Sequence, residues 1–139
     1  MIKKAIWTVL DNDSDITDEL ATYDYADGTW TPAIFTSRKI PEDAHYPAIH
    51  ITQVSGVQWG VRDSRGGDVL IDVDIYDDKE QSDEALNDLA HAVWRRLDRA
   101  SLTVEGYTPI LCQADPPMQK EDRDGYPGYL VRCRVLVLE

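Results

Sequence analysis

The sequence is poor in cysteine and has no long run of apolar residues. Because no apolar segment could cross a bilayer, an association with membranes is not expected. Its two cysteines, Cys112 and Cys133, fall in predicted strands, and a chain of 139 residues can bury a core without a disulfide framework. We therefore expect both thiols to be small core side chains in a reducing compartment, for which the cytoplasm is the default.

Basic residues are also scarce, with 14 lysines and arginines against 26 aspartates and glutamates, and the formal net charge is −12. Such a surface repels phosphate backbones, so specific nucleic-acid binding is not expected as the main activity. The same charge is compatible with a protein past which DNA slides without binding.

Common catalytic motifs are missing from the sequence: it has no phosphate-binding glycine loop, no G-x-S-x-G segment and no cysteine placed with a histidine. His45, His50 and His91 are too dispersed to predict a metal site, and no cofactor is expected. One enzymatic alternative stays open. Asp72 and Asp74 project from the same face of a predicted strand, as a two-carboxylate site requires, although in so acidic a chain a solvated strand face is the simpler explanation.

Three amphipathic segments predict helices. Residues 2–10 place apolar side chains at helical spacing, and they lack the small-residue cleavage site of a signal peptide. Asp15 is predicted to cap a short second helix over residues 16–23. The third helix is predicted over residues 81–100, with Ser82 as its N-cap and a buried side formed by Leu86, Leu89, Ala90, Val93 and Leu97.

Alternating apolar residues predict strands at 33–36, 48–54, 68–78, 103–115 and 129–139. Pro41 and Pro47 restrict the backbone, so IPEDAHYPAIHI predicts a stiff connector that sets the direction of the strand at 48–54. The clearest strand, 68–78, is expected to expose Asp72, Asp74 and Tyr76 and to bury the alternate residues Val69, Ile71, Val73 and Ile75.

Residues 54–67, VSGVQWGVRDSRGG, predict a projecting hairpin arm that is mobile when free, because they hold four of the eight glycines. Trp30 and Trp59 fall in predicted loops, where burying an indole requires a partner, although Trp59 could instead fold over the sheet edge. Three arginines at the end of the third helix could pair with an acidic neighbouring copy or simply complement the helix dipole. The predicted interface residues are thus Val57, Trp59, Arg62, Arg65, Arg95, Arg96 and Arg99.

The element order predicts an α+β two-layer sandwich formed by one domain over residues 1–139. We expect a mostly antiparallel sheet of four to five strands, with two helices packed on one face and the hairpin arm projecting from it.

This order resembles the tail-terminator, or tail-completion, proteins of long-tailed bacteriophages, related prophages and gene transfer agents. The resemblance covers most of the chain. It depends on the N-terminal helix with its small second helix, on the connector IPEDAHYPAIHI and on the glycine-rich arm. It also depends on DVLIDVDIYDD running into DEALNDLAHAVWRRL, and on the closing strand GYLVRCRVLVLE.

The resemblance implies a structural protein of the virion rather than an enzyme. It implies a homo-oligomeric, hexameric ring at the head-proximal end of the tail, with the tail tube protein and a head-completion or neck protein as partners. DNA would pass through an acidic lumen without specific binding. The alternatives are a head-side neck or connector protein, a small metal-dependent hydrolase that uses Asp72 and Asp74, and a regulatory or inhibitor module.

Overall fold

The computed structural model describes residues 2–25, 30–37, 39–61, 64–77, 83–121 and 126–139, and, within these ranges, not the side chains of 57–61, 64–65, 83 and 121. Its helices are α1 (Ile2–Asp11), α2 (Ser14–Thr17) and α3 (Asp83–Leu97). Its strands are β1 (Thr22–Asp24), β2 (Trp30–Pro32), β3 (Ile34–Phe35), β4 (Ala48–Val61), β5 (Ser64–Tyr76), β6 (Thr108–Ala114), β7 (Met118–Glu121) and β8 (Pro127–Leu138). None of the helices in these ranges is both long enough and apolar enough to span a membrane.

Six strands form the main sheet, in the order β3-β4-β5-β8-β6 with β7 also paired to β8, and β1 pairs with β2 in a separate ribbon. Only β3 and β4 are parallel among the pairs described. β6 pairs with the C-terminal half of β8 and β7 with its N-terminal half, so both lie on the side of β8 away from β5. The predicted α+β fold is confirmed, and the sheet gains one more strand than expected because β7 occupies a segment predicted as a loop.

The core lies between one face of this sheet and the two longer helices. In β8 every second residue from Tyr129 to Val137 is buried, which is the period of a strand with one face on the core. The alternate β5 residues that join the same core are Val69, Ile71, Val73 and Ile75. α1 and α3 contribute their apolar sides, as their helical spacing predicts. The fully buried large side chains include Ile6, Leu10, Ile49, Ile51, Ile71, Ile75, Leu86 and Leu97.

The second helix differs from its prediction. It ends at Thr17 instead of residue 23, and its N-cap is Asp13 instead of Asp15. The Asp13 carboxylate accepts a hydrogen bond from the backbone N–H of Asp15 at 3.0 Å, so the acid two residues earlier occupies the capping position. Residues 22–24 pair with β2 instead of continuing the helix. The predicted Ser82 cap of the third helix lies outside the described residues.

The glycine-rich arm is more regular than its sequence predicts. β4 and β5 pair from Ala48 opposite Tyr76 to Val61 opposite Ser64, with one register shift between Gln53 and Ser55. β8 pairs with β5 as far as Gly66, which lies opposite Leu138, so most of the arm is part of the sheet rather than a separate projection. Its two tip residues, 62 and 63, lie outside the described residues.

Candidate assembly surfaces

The structure divides the predicted interface residues between two places. Val57 and Trp59 lie on β4, at register positions opposite Asp68 and Gly66, and Arg65 lies on β5. Their side chains and all of Arg62 lie outside the described part of the chain. Arg95, Arg96 and Arg99 lie at the end of α3, in the helical layer.

Two of these three arginines, Arg96 in the last turn of α3 and Arg99 just after it, make contacts within the chain. Arg96 forms an ion pair with Asp13 at 3.6 Å, which ties α3 to the cap of α2. Arg99 has a positive φ of 60°, and its backbone N–H donates to the carbonyl oxygen of Cys112 at 2.8 Å. Arg95 is exposed and keeps its place as a predicted interface residue.

Ion pairs cross the sheet face that the helices leave uncovered, which we call the open sheet face. Arg132 of β8 binds Asp72 of β5 with two hydrogen bonds, at 2.7 and 3.1 Å. Arg134 binds Asp68 in the same two-pronged way, at 3.0 and 2.6 Å. Such pairs fix the relative position of neighbouring strands with planar, directional contacts.

Asp72, Asp74 and Tyr76 are buried, so their predicted exposure is wrong. The cause at Asp74 is β7, which brings Lys120 beside Gly128 of β8. Lys120 reaches across β8, and its Nζ lies 3.0 Å from Oδ2 of Asp74. A side chain from a strand that the sequence did not predict therefore covers this part of the sheet.

The Asp74 carboxylate is only half satisfied. Its Oδ1 has no hydrogen-bond partner among the described residues, while Oδ2 pairs with Lys120. Burial raises the pKa of Asp74, because water is lost around the charged carboxylate. No group of three or more histidine, cysteine, aspartate or glutamate side chains in the described ranges is placed to hold a metal.

Both cysteines are buried and free, as their strand positions predict. Burial raises the pKa of Cys112 to about 11 and raises the pKa of Cys133 further. Cys112 Sγ donates to the carbonyl oxygen of Leu97 at 3.3 Å, which joins β6 to the end of α3. These thiols are unreactive near neutral pH because thiolate is the nucleophilic form.

Large apolar side chains are exposed along two opposite edges of the main sheet. The first edge is formed by β3 and the outer side of β4, with the β1–β2 ribbon beside it. There, Tyr25, Trp30 and Val54 are 50%, 63% and 50% exposed. At the second edge, formed by β6 and β7, Ile110 and Met118 are 54% and 53% exposed. Exposed apolar side chains of this size at a sheet edge are available for contact with another protein.

An aromatic groove of about 670 Å³ lies at the first edge, between α1 and strands β1 to β3. The ring of Tyr23 meets those of Tyr25 and Phe35 edge to face, with centroids 4.8 and 5.2 Å apart. Its hydroxyl donates to Asp43 at 2.9 Å, so the ring is held from the connector side. The groove is also lined by Trp7, by Lys4 and by Pro41 of the connector.

Sequence reasoning identified Trp30 as a residue that needs a partner but missed the groove and the second edge. The groove assembles residues from α1, β1 and β3, and only the fold brings them together. Ile110 and Met118 are the outward residues of β6 and β7. A signal for Met118 was available in its position directly after Pro116 and Pro117, where a strand begins after two residues without an N–H.

The comparisons with known proteins agree with this architecture. A family model described as tail completion protein gp17 matches residues 4–138. The fold is similar to a chain in the virion of a native gene transfer agent particle, with a TM-score of 0.72 and 12% identity, over 99% of this chain and 95% of that chain. At this identity the structural likeness shows the fold alone. No curated protein matches the sequence.

Proposed function

Because the chain belongs to the family of the tail completion protein gp17, it is a structural protein of the phage tail, and we propose that it is the tail terminator. In this proposal, a hexameric ring of copies caps the head-proximal end of the tail tube and stops tube polymerisation. The ring also presents the surface to which the head's neck protein joins. The copy number and the place in the virion follow the sequence resemblance to tail terminators.

The observation that carries the ring is the exposure of apolar side chains at two opposite edges of one sheet. A copy with two different contact surfaces pairs head to tail with the next copy. Such contacts form a closed ring when the rotation from copy to copy divides a full turn, and a two-fold dimer needs only one surface. The two edges therefore favour a ring over an isolated module awaiting a single partner.

The charge of the chain fits a channel for DNA. With a net charge of −12, a ring of copies repels phosphate groups and releases no counterions when DNA passes. We propose that the lumen lets DNA through without specific binding.

Assembly without catalysis is also the function that the open sheet face supports. Asp72 and Asp74, the residues of the hydrolase alternative, are buried and face Arg132 and Lys120. A cation at each carboxylate competes with a metal ion for the carboxylate oxygens, which disfavours a two-carboxylate metal site here.

The β4–β5 hairpin is proposed to contact the tail tube. Residues 51–61 of β4 contain no charged residue, and β3 pairs only with Ile49 and His50, which leaves a long strand edge along the hairpin.

Trp59→Ala is expected to keep the fold and to lower the yield of head-joined tails, because tryptophan commonly anchors an interface. Infectious particle yield measures this, and an unchanged yield with normal tail length would remove the hairpin from the tube contact.

A joining experiment tests the proposed function. Tails assembled without the protein are mixed with purified protein and then with DNA-filled heads. We expect joined particles only when the protein is present. Equal joining in its absence would contradict the proposal, and joining that requires addition to heads first would favour the neck-protein alternative.

A further inference from the structure

We propose that residues 115–118 of one copy, Asp-Pro-Pro-Met, dock in the aromatic groove of the next copy, with Asp115 paired to Lys4. This inference rests on the proposed ring and names the contact that closes it. The occupant of the groove is thus a second copy of this chain.

The groove suits a proline-rich segment. Its lining includes the aromatic residues Trp7, Tyr23, Tyr25 and Phe35 and the basic residue Lys4. Aromatic grooves bind extended proline segments because the flat rings pack against pyrrolidine rings. The segment also loses little entropy on docking, since proline has few backbone conformations to lose.

Residues 115–118 present the matching surface. Residues 115–117 join β6 to β7 at the second edge, where Asp115 and Pro116 are exposed and Pro117 is half-buried. The backbone N–H of Asp115 donates to the carbonyl oxygen of Arg132 at 2.9 Å, so the segment starts from a fixed point on β8. Met118 follows with 53% exposure, and its flexible thioether can fill an irregular apolar site.

The charges of the two surfaces are complementary. Lys4 is exposed and makes no ion pair with any residue in the described ranges. Asp115 is exposed and makes no ion pair within 4.0 Å in the described ranges. The pKa of Arg132 is raised mainly by Asp72 and to a smaller extent by the charge of Asp115. Copies with a charge of −12 repel one another, and a local pair of opposite sign at their contact offsets part of this repulsion.

The fold keeps the groove and the segment apart within one copy. The groove lies beside β3 and the segment beside β8, with β4 and β5 between them in the sheet. The two surfaces can therefore meet only between copies. Because each copy carries both, the contact is head to tail, which is the kind that forms a ring.

A charge exchange tests the contact. Lys4→Asp and Asp115→Lys are each expected to raise the protein concentration needed for half-maximal head joining by about tenfold. The double variant Lys4→Asp/Asp115→Lys is expected to return to within about threefold of the wild type. The matched control is Lys4→Asp/Asp88→Lys, which has the same net charge but places its lysine on the exposed side of α3 and should not recover.

A photo-crosslinker at Tyr25 gives an independent test. With p-benzoylphenylalanine in place of Tyr25, ultraviolet irradiation of capped tails is expected to join this position to residues 115–118 of another copy, as read by peptide mass spectrometry. Adducts with the tube protein or with other residues of this chain would overturn the proposal, as would capped tails that give no adduct between copies.

The two tests separate the inference from the function. If wild-type protein does not restore head joining, the proposed function fails. If wild-type protein restores joining while the exchanged double variant stays at the level of Lys4→Asp, the function stands and this contact is wrong.

Discussion

Replacing Gly128 by alanine is expected to lower the free energy of unfolding by about 2–3 kcal/mol. An added Cβ would lie 2.7 and 2.9 Å from two ring carbons of Tyr76 and 3.0 Å from the carbonyl oxygen of Ile75. The backbone oxygen cannot move aside, and the buried ring of Tyr76 has little space in which to do so. The loss is measured by urea denaturation of the purified variant.

Gly67→Ala is the matched control for this prediction. Gly67 also lies in the main sheet, but a Cβ there would meet Val137 and Val69 at the ordinary distances of 3.6 and 3.9 Å. Its effect is expected to stay within about 0.5 kcal/mol, since alanine and glycine then differ mainly in backbone entropy. Equal losses in the two variants would show that Gly128 does not support the close approach of Tyr76.

Replacing Arg132 by methionine is expected to destabilise the fold by about 1–3 kcal/mol at neutral pH. The variant leaves the Asp72 carboxylate, whose side chain is 11% exposed, without its two hydrogen bonds. The expected loss lies below the usual cost of breaking a fully buried pair because Arg132 is itself 39% exposed. Adding Asp72→Leu removes the unpaired charge and is expected to recover most of the loss.

Arg134→Met provides the comparison within the same sheet face. Its partner Asp68 is more exposed, so the loss should be smaller than for Arg132→Met. The hydrogen bonds from Arg134 hold the pKa of Asp68 below its usual range. The contribution of this pair is therefore complete above the usual pKa of aspartate, about 3.9, and is lost as the pH falls through the lowered value. This linkage would be contradicted if the difference in unfolding free energy between the wild type and Arg134→Met stayed constant as the pH was lowered.

The sequence predicted the helical layer and the covered sheet face because both depend on local periodicity. The apolar residues of α1 and α3 repeat with the helical turn and those of β5 and β8 repeat at every second residue, and these are the residues that form the core. The α2 region was less predictable, because Asp13 and Asp15 are equally suitable as caps by residue type.

The open sheet face could not be predicted in the same way. The sequence predicts a solvated face for Asp72 and Asp74 because these two residues alternate with apolar residues. Their burial depends on Arg132, 60 residues away from Asp72 along the chain, and on Lys120 from a strand only four residues long. A short strand after two prolines has too few residues to show a clear period, so its long-range contacts are not visible in the sequence.

The candidate assembly surfaces could likewise be predicted from the sequence only in part. Trp30 could be singled out from its type and its turn-rich surroundings, and the structure leaves it largely exposed. The aromatic groove could not, because Trp7, Tyr23 and Phe35 come from different elements. The predicted roles of Val57, Trp59, Arg62 and Arg65 stay predictions about the hairpin.

Electron microscopy of tails assembled with and without the protein tests the central proposal most directly. If the protein caps the tube, its presence gives a single narrow peak of tail lengths with a ring at one end. Its absence gives tubes that extend to many lengths beyond that peak. The same narrow length distribution in both samples would contradict a role in stopping tube growth.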